Sequence, residues 1–117
     1  MKVYPLKLEP IFKQRIWGGQ RLKDFFGKQL PANEKIGESW ELTDLPNDKS
    51  PVINGELAGM NIHEIINKYP QEMMGDAGFS GDFPLLIKLL DAQDDLSVQV
   101  HPTEEACRRM GKGDSKT

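Results

Sequence analysis

The sequence is compatible with a mainly β fold with inserted helices, gathered in a single domain over residues 1–117. Three observations fit it. Apolar and polar residues alternate at a period of two, most strictly where Leu96, Val98 and Val100 interleave with Ser97, Gln99 and His101. Turn-forming clusters such as Pro46 to Pro51 and Asn54-Gly55 punctuate the chain at short intervals. Helical spacings are confined to short runs between them.

At 117 residues the chain is long enough for one core and too short to expect two. With 28% charged and 38% hydrophobic residues it reads as globular rather than disordered. A net charge of -3, and no basic run beyond Arg108 and Arg109, disfavour a nucleic-acid partner. No stretch approaches the roughly 20 apolar residues of a membrane helix, so no membrane partner is expected. The start, MKVYPLKLEP, lacks the apolar segment of a secretory signal. The one cysteine, Cys107, forms no internal disulfide, which fits a cytoplasmic location, and it reads as a small half-buried residue of a helix.

Lys2 to Glu9 alternates loosely and reads as an edge strand, because Pro5 has no N–H for a ladder. IFKQRIWGG then ends on Gly18 and Gly19, which permit a turn into a helix from about Gln20 to Phe26. Leu22, Phe25 and Phe26 form its expected core stripe, and Gly27 ends it. Lys28 to Lys35 is a loop. IGESWELTDLP reads as a strand that buries Trp40 and Leu42, with Glu38 and Glu41 on opposite faces and both solvated. A short strand follows at Val52 and Ile53. Asn61 is the expected N-cap of a helix whose Ile62, Ile65 and Ile66 face inward, leaving His63 and Glu64 on the solvated side. Pro70 ends it, a short helical turn near Gln71 to Met74 comes next, and Asp76 to Asp82 is a loop. Near the end, Thr103 caps a helix through about Met110, with Glu104 and Glu105 at its positive end and Arg108 and Arg109 at its negative one.

The most informative stretch is Phe83 to Pro102, read as a β-hairpin. Its first arm, Phe83 to Leu90, is apolar except for Lys88, which suggests a strand covered on both faces. None of Lys88's sequence neighbours is a partner for its ammonium, so it either reaches water or faces a polar hollow that holds an anion. With a turn at Ala92 to Asp95, Lys88 falls opposite Gln99, on the Ser97/Gln99/His101 face. A slip of one residue moves it to the other face. Same-face residues lie about 6.5–7 Å apart, close enough for Gln99 and His101 to converge on one ion, although two donors do not complete a site. The polar close, GKGDSKT, reads as a loop, and the chain is expected to be the front part of a longer protein.

On four motifs the chain resembles the type I phosphomannose isomerases of the shorter bacterial form. They are RIWGG at Arg15 to Gly19, IGESWEL at Ile36 to Leu42, FPLLIKLLDA at Phe83 to Ala92 and LSVQVHP at Leu96 to Pro102. The resemblance implies a cupin-like jelly roll, incomplete in this chain, with residues 1–117 as the N-terminal part of the catalytic domain. It implies a zinc-dependent interconversion of mannose 6-phosphate and fructose 6-phosphate, with one Zn²⁺ per complete active site. Gln99 and His101 are the implied metal ligands. The family's glutamate ligand is expected just past a Lys-Thr pair, and the sequence closes on Lys116-Thr117. The family's second histidine ligand is expected much further on, and His63 matches no ligand motif.

Ser97 and Lys88 are implied to line the sugar-phosphate pocket, Lys88 also as a catalytic candidate, with Arg15 and Glu41 bordering it. The implied partner is a small sugar phosphate, the oligomeric state is undefined, and the fragment alone is expected to be inactive. The rival readings are a non-catalytic sugar-phosphate-binding or regulatory module of the same fold, and an iron-dependent cupin, which Gln99 in a ligand position argues against.

Overall fold

The computed structural model describes residues 1–77, 79 and 81–111. Its strands are β1 (Ile11–Gly19), β2 (Ile36–Leu42), β3 (Asp44–Leu45), β4 (Asp48–Lys49) and β5 (Ile87–Leu90). Its helices are α1 (Arg21–Phe26), α2 (Ile62–Lys68), α3 (Pro70–Met74) and α4 (Glu104–Met110), with a 3-10 turn at Gly75–Ala77. The fold is mainly β with short helices inserted, as expected.

The central element is a three-stranded antiparallel sheet in the order β1-β2-β5. Beside it, β3 and β4 form a small hairpin. The two sheet-forming motifs meet through glycines. A Cβ on Gly37 would lie 2.6 Å from the Arg15 Cβ and 2.7 Å from the Trp17 ring, and one on Gly18 would strike the backbone of Ile36 and Gly37. Only glycine lets β1 and β2 approach this closely.

A second layer packs α2 against the N-terminal segment. Val52, Leu57 and Ile65 form its buried centre, closed by Tyr4, Leu6, Leu8, Met60, Tyr69 and Met73. The helix starts where Asn61 predicts. Its side chain accepts the Glu64 N–H at 3.0 Å, while Glu64 Oε2 accepts the Asn61 N–H at 3.0 Å, a reciprocal capping box. Thr103 likewise caps α4 by accepting the Ala106 N–H at 3.1 Å, and Gly27 and Gly111 end α1 and α4 in the left-handed region.

Several expectations are corrected. The hairpin of Phe83 to Pro102 does not form. Only Ile87–Leu90 is a strand; it pairs with β2, and residues 96–101 form no strand and join no sheet. After Leu90 the Asp91 N–H goes to Gly37 O, and those of Gln93 and Asp94 go to Trp17 O, so the chain is drawn across toward β1 instead of back along β5. Lys88 therefore stands opposite Trp40, not Gln99. The Lys2 to Glu9 edge strand reduces to a bridge between Leu8 and Val52.

In α1 only Leu22 is buried, at 2% exposure, while Phe25 and Phe26 are exposed. The helix is too short to bury a whole stripe. The predicted loop at Gly111 to Thr117 lies, beyond Gly111, outside the described residues. No helix among the described residues is long and apolar enough to cross a membrane.

Candidate functional site

Glu38 is a buried charged residue at the centre of the sheet. It sits in β2, the middle strand, with β1 on one side and β5 on the other. Arg15 of β1 reaches it through Nη2 at 2.6 Å from Oε2, and Lys88 of β5 pairs its Nζ with Oε1. Each carboxylate oxygen thus meets a cation from a different flanking strand. The Glu38 side chain is 5% exposed, whereas Arg15 and Lys88 keep 37% and 36% of theirs open to solvent. Burial pushes the Glu38 carboxyl up, but the hydrogen bonds and charges of Lys88 and Arg15 outweigh it and hold the group below the ordinary carboxylate value. The expectation of a solvated Glu38 is therefore wrong. The unpartnered ammonium of the apolar run finds its counter-ion on the neighbouring strand, where sequence adjacency gives no hint of it.

These charges face a cavity of about 530 Å³ lined by Arg15, Trp17, Glu38, Lys88, Leu90, Leu96, Ser97 and Gln99. Four residues singled out in the sequence, Arg15, Lys88, Ser97 and Gln99, come together here. Ser97 and Gln99 arrive on a segment without regular secondary structure instead of a strand, and Val98 and Val100 between and beyond them are 98% and 89% exposed. His101 is exposed and is not among the lining residues. Glu41 also lies outside the lining. It faces the other way from Glu38, paired with Lys28 Nζ at 2.8 Å and accepting the Ser39 hydroxyl at 2.9 Å.

A second polar cluster centres on Asp44, which is fully buried. Its Oδ1 takes Lys49 Nζ at 2.8 Å, and its Oδ2 takes the Phe83 N–H at 2.8 Å and lies 3.0 Å from His63 Nδ1. Burial pushes the Asp44 carboxyl up, and the Lys49, Phe83 and His63 contacts reverse this to hold it low. His63 thus clasps a buried carboxylate, correcting its reading as a solvated surface residue. Asp44, His63 and Asp82 offer ligand atoms within 4.8 Å of one another, a geometry a metal ion could use. Both Asp44 oxygens are already engaged, however, so the cluster acts first as a tie between β3, α2 and the segment entering β5. Among the described residues His101 belongs to no comparable group of His, Cys, Asp or Glu side chains.

The site is thus a polar cavity on an antiparallel sheet, walled by paired cations and a buried carboxylate, in a mainly β fold with inserted helices. The family described as phosphomannose isomerase type I, catalytic domain, matches residues 5–117, and the chain belongs to that family, whose fold is cupin-like.

Among its relatives, probable mannose-6-phosphate isomerase GmuF of Bacillus subtilis is 43% identical over 113 residues, covering 95% of this chain and 34% of the relative. Mannose-6-phosphate isomerase of Streptococcus mutans is 44% identical over 98 residues, covering 84% and 30%. The crystal structure of mannose 6-phosphate isomerase from Bacillus subtilis superposes with a TM-score of 0.79 at 38% identity, over 95% of this chain and 34% of that one. The chain spans about a third of the length of the relatives it matches.

Proposed function

We propose that this chain supplies part of the sugar-phosphate site of a mannose-6-phosphate isomerase, interconverting mannose 6-phosphate and fructose 6-phosphate. The observation that carries the reading is the convergence of Arg15, Lys88, Ser97 and Gln99 on one cavity. The relatives' names supply the substrate. Two exposed cations suit a phosphate, Arg15 through its planar fork and Lys88 as a point charge. The same charges suit the enediolate that forms as a proton moves between C1 and C2 of the sugar. Ser97 and Gln99 offer hydrogen bonds to hydroxyl groups. Glu41, turned away toward Lys28, is given no part.

Zinc is the cofactor the resemblance implies, and Gln99 and His101 are its candidate donors. These residues do not by themselves fit a tetrahedral site. They make two donors, and His101 stands outside the cavity that Gln99 lines. No step is therefore assigned to a metal. A sugar-phosphate-binding module without turnover is the second reading, since Arg15, Lys88, Ser97 and Gln99 around one cavity suit binding alone as well as catalysis.

The test is titration of the isotope-labelled chain with mannose 6-phosphate and, separately, with mannose. Selective shifts at Arg15, Lys88, Ser97 and Gln99 with the phosphorylated sugar are expected. Equal responses to both sugars, or none at these four residues, would remove the reading. Because this chain alone is expected to be inactive, fructose 6-phosphate formed above the uncatalysed rate by a longer protein carrying these residues separates the enzyme from the binder.

A further inference from the structure

Resting on the reading that the cavity takes a phosphorylated sugar, we infer that Glu38 is the cavity's internal counter-ion, a positioning residue that holds Arg15 and Lys88 and sets how tightly the cavity binds an anion. The carboxylate stands behind and the cations in front. Glu38 is 5% exposed while both partners keep more than a third of their side chains open. Its two cations come from the two strands that flank β2, one to each oxygen.

The lining residues carry two cations and one carboxylate, hence one excess positive charge. An incoming phosphate must share Arg15 and Lys88 with Glu38. The carboxylate therefore keeps both cations aimed at the cavity before an anion arrives, and lowers the cavity's affinity for a bare anion. Glutamine in its place keeps the shape, leaves two excess positive charges, and removes the competitor.

Inorganic phosphate is the probe, titrated calorimetrically into the chain and into Glu38→Gln at low and at raised potassium chloride. Glu38→Gln is expected to bind phosphate about three- to tenfold more tightly, with a steeper loss of affinity as salt rises. Arg15→Met and Lys88→Met are expected to bind more weakly than wild type. A purely structural Glu38 would leave the salt dependence unmoved. Unchanged or weaker phosphate binding by folded Glu38→Gln overturns the inference, as does absence of phosphate binding to both proteins.

Should Glu38→Gln fail to fold, carboxyl-labelled wild type decides. Phosphate is expected to shift the Glu38 carboxyl resonance as its share of the cations falls, and no shift overturns the inference. Mannose 6-phosphate added to the same samples separates the two claims. If it binds no better than phosphate while Glu38→Gln tightens phosphate, Glu38 keeps its role and the sugar-phosphate reading falls. If it binds selectively and Glu38→Gln changes nothing, the reverse holds.

Discussion

Asp91 caps a helix that begins 70 residues earlier: its Oδ2 accepts the Arg21 N–H at 2.9 Å, at the first position of α1. Gln20, the residue preceding that helix, makes no side-chain cap of its own. The Arg21 side chain approaches the other carboxylate oxygen at 3.9 Å, and the Asp91 side chain is 1% exposed. A helix start left open by its local sequence is thus closed by the residue that follows β5, which ties the end of the sheet to the end of β1.

Asp91→Ala should cost about 1–3 kcal/mol, since it removes both a cap and a buried acceptor. Urea unfolding measures this. Asp91→Asn, which keeps an oxygen in place, should lose less, and an unchanged midpoint for Asp91→Ala would deny the cap.

Gly37→Ala should destabilise by about 1–3 kcal/mol or more, because its methyl group would press on the Arg15 side chain and the Trp17 ring across a packed strand pair. Gly59 is the control. Its φ of 94° strains any side chain, but nothing lies within 4 Å of an added Cβ. Gly59→Ala should therefore cost about 1 kcal/mol. Thermal melts of the two variants compare steric contact with backbone strain directly.

Acid should unfold the chain through Glu38 and Asp44. Both carboxyls are held below their ordinary values of 4.5 and 3.8, so the folded state binds their protons less readily than the unfolded one. Their stabilisation is complete above those values and is lost as pH falls through the lowered ones. Melting temperature followed downward from neutral pH should begin to fall near pH 4.5, and Asp44→Asn should flatten that fall. An equal acid slope in Asp44→Asn would mean that other groups carry it.

A chelator should leave the melting temperature of this chain unchanged. With Gln99 and His101 as the two candidate donors and His101 outside the cavity, zinc is not expected to hold the described fold together. A marked drop in melting temperature on adding chelator, restored by zinc, would show a more complete ligand set than these residues offer.

Much of the candidate site is legible in the amino-acid sequence. Lys88 stands out because an ammonium in an apolar run needs a partner, and Ser97 and Gln99 because polar residues alternate with apolar ones. Lys88, expected to reach water or face a polar hollow, lines the polar cavity with Ser97 and Gln99; the sequence does not show its pairing with Glu38 on the neighbouring strand, and the hairpin that would set Gln99 opposite Lys88 is absent. Glu38 has a readable signal in its place two residues from Trp40, on the same strand face. Asp44 and His63 have none, because their partners come from Lys49, Phe83 and Asp82, which converge only in space.

The amino-acid sequence by itself determined what depends on near neighbours: the β-rich class, the capped start of α2 at Asn61, its buried isoleucines, the glycine ends of α1 and α4, and the motifs of the family. The tertiary structure decided which strand lies beside which. Strand alternation is the same whichever partner a strand takes, and β5 takes β2 through the ladder from the Glu38/Leu90 pair to the Leu42/Ile87 pair, continued by the Asp91 N–H to Gly37 O. That choice brought two cations from separate strands onto one buried carboxylate, because a charge in a sheet is neutralised by whichever side chain the register sets beside it.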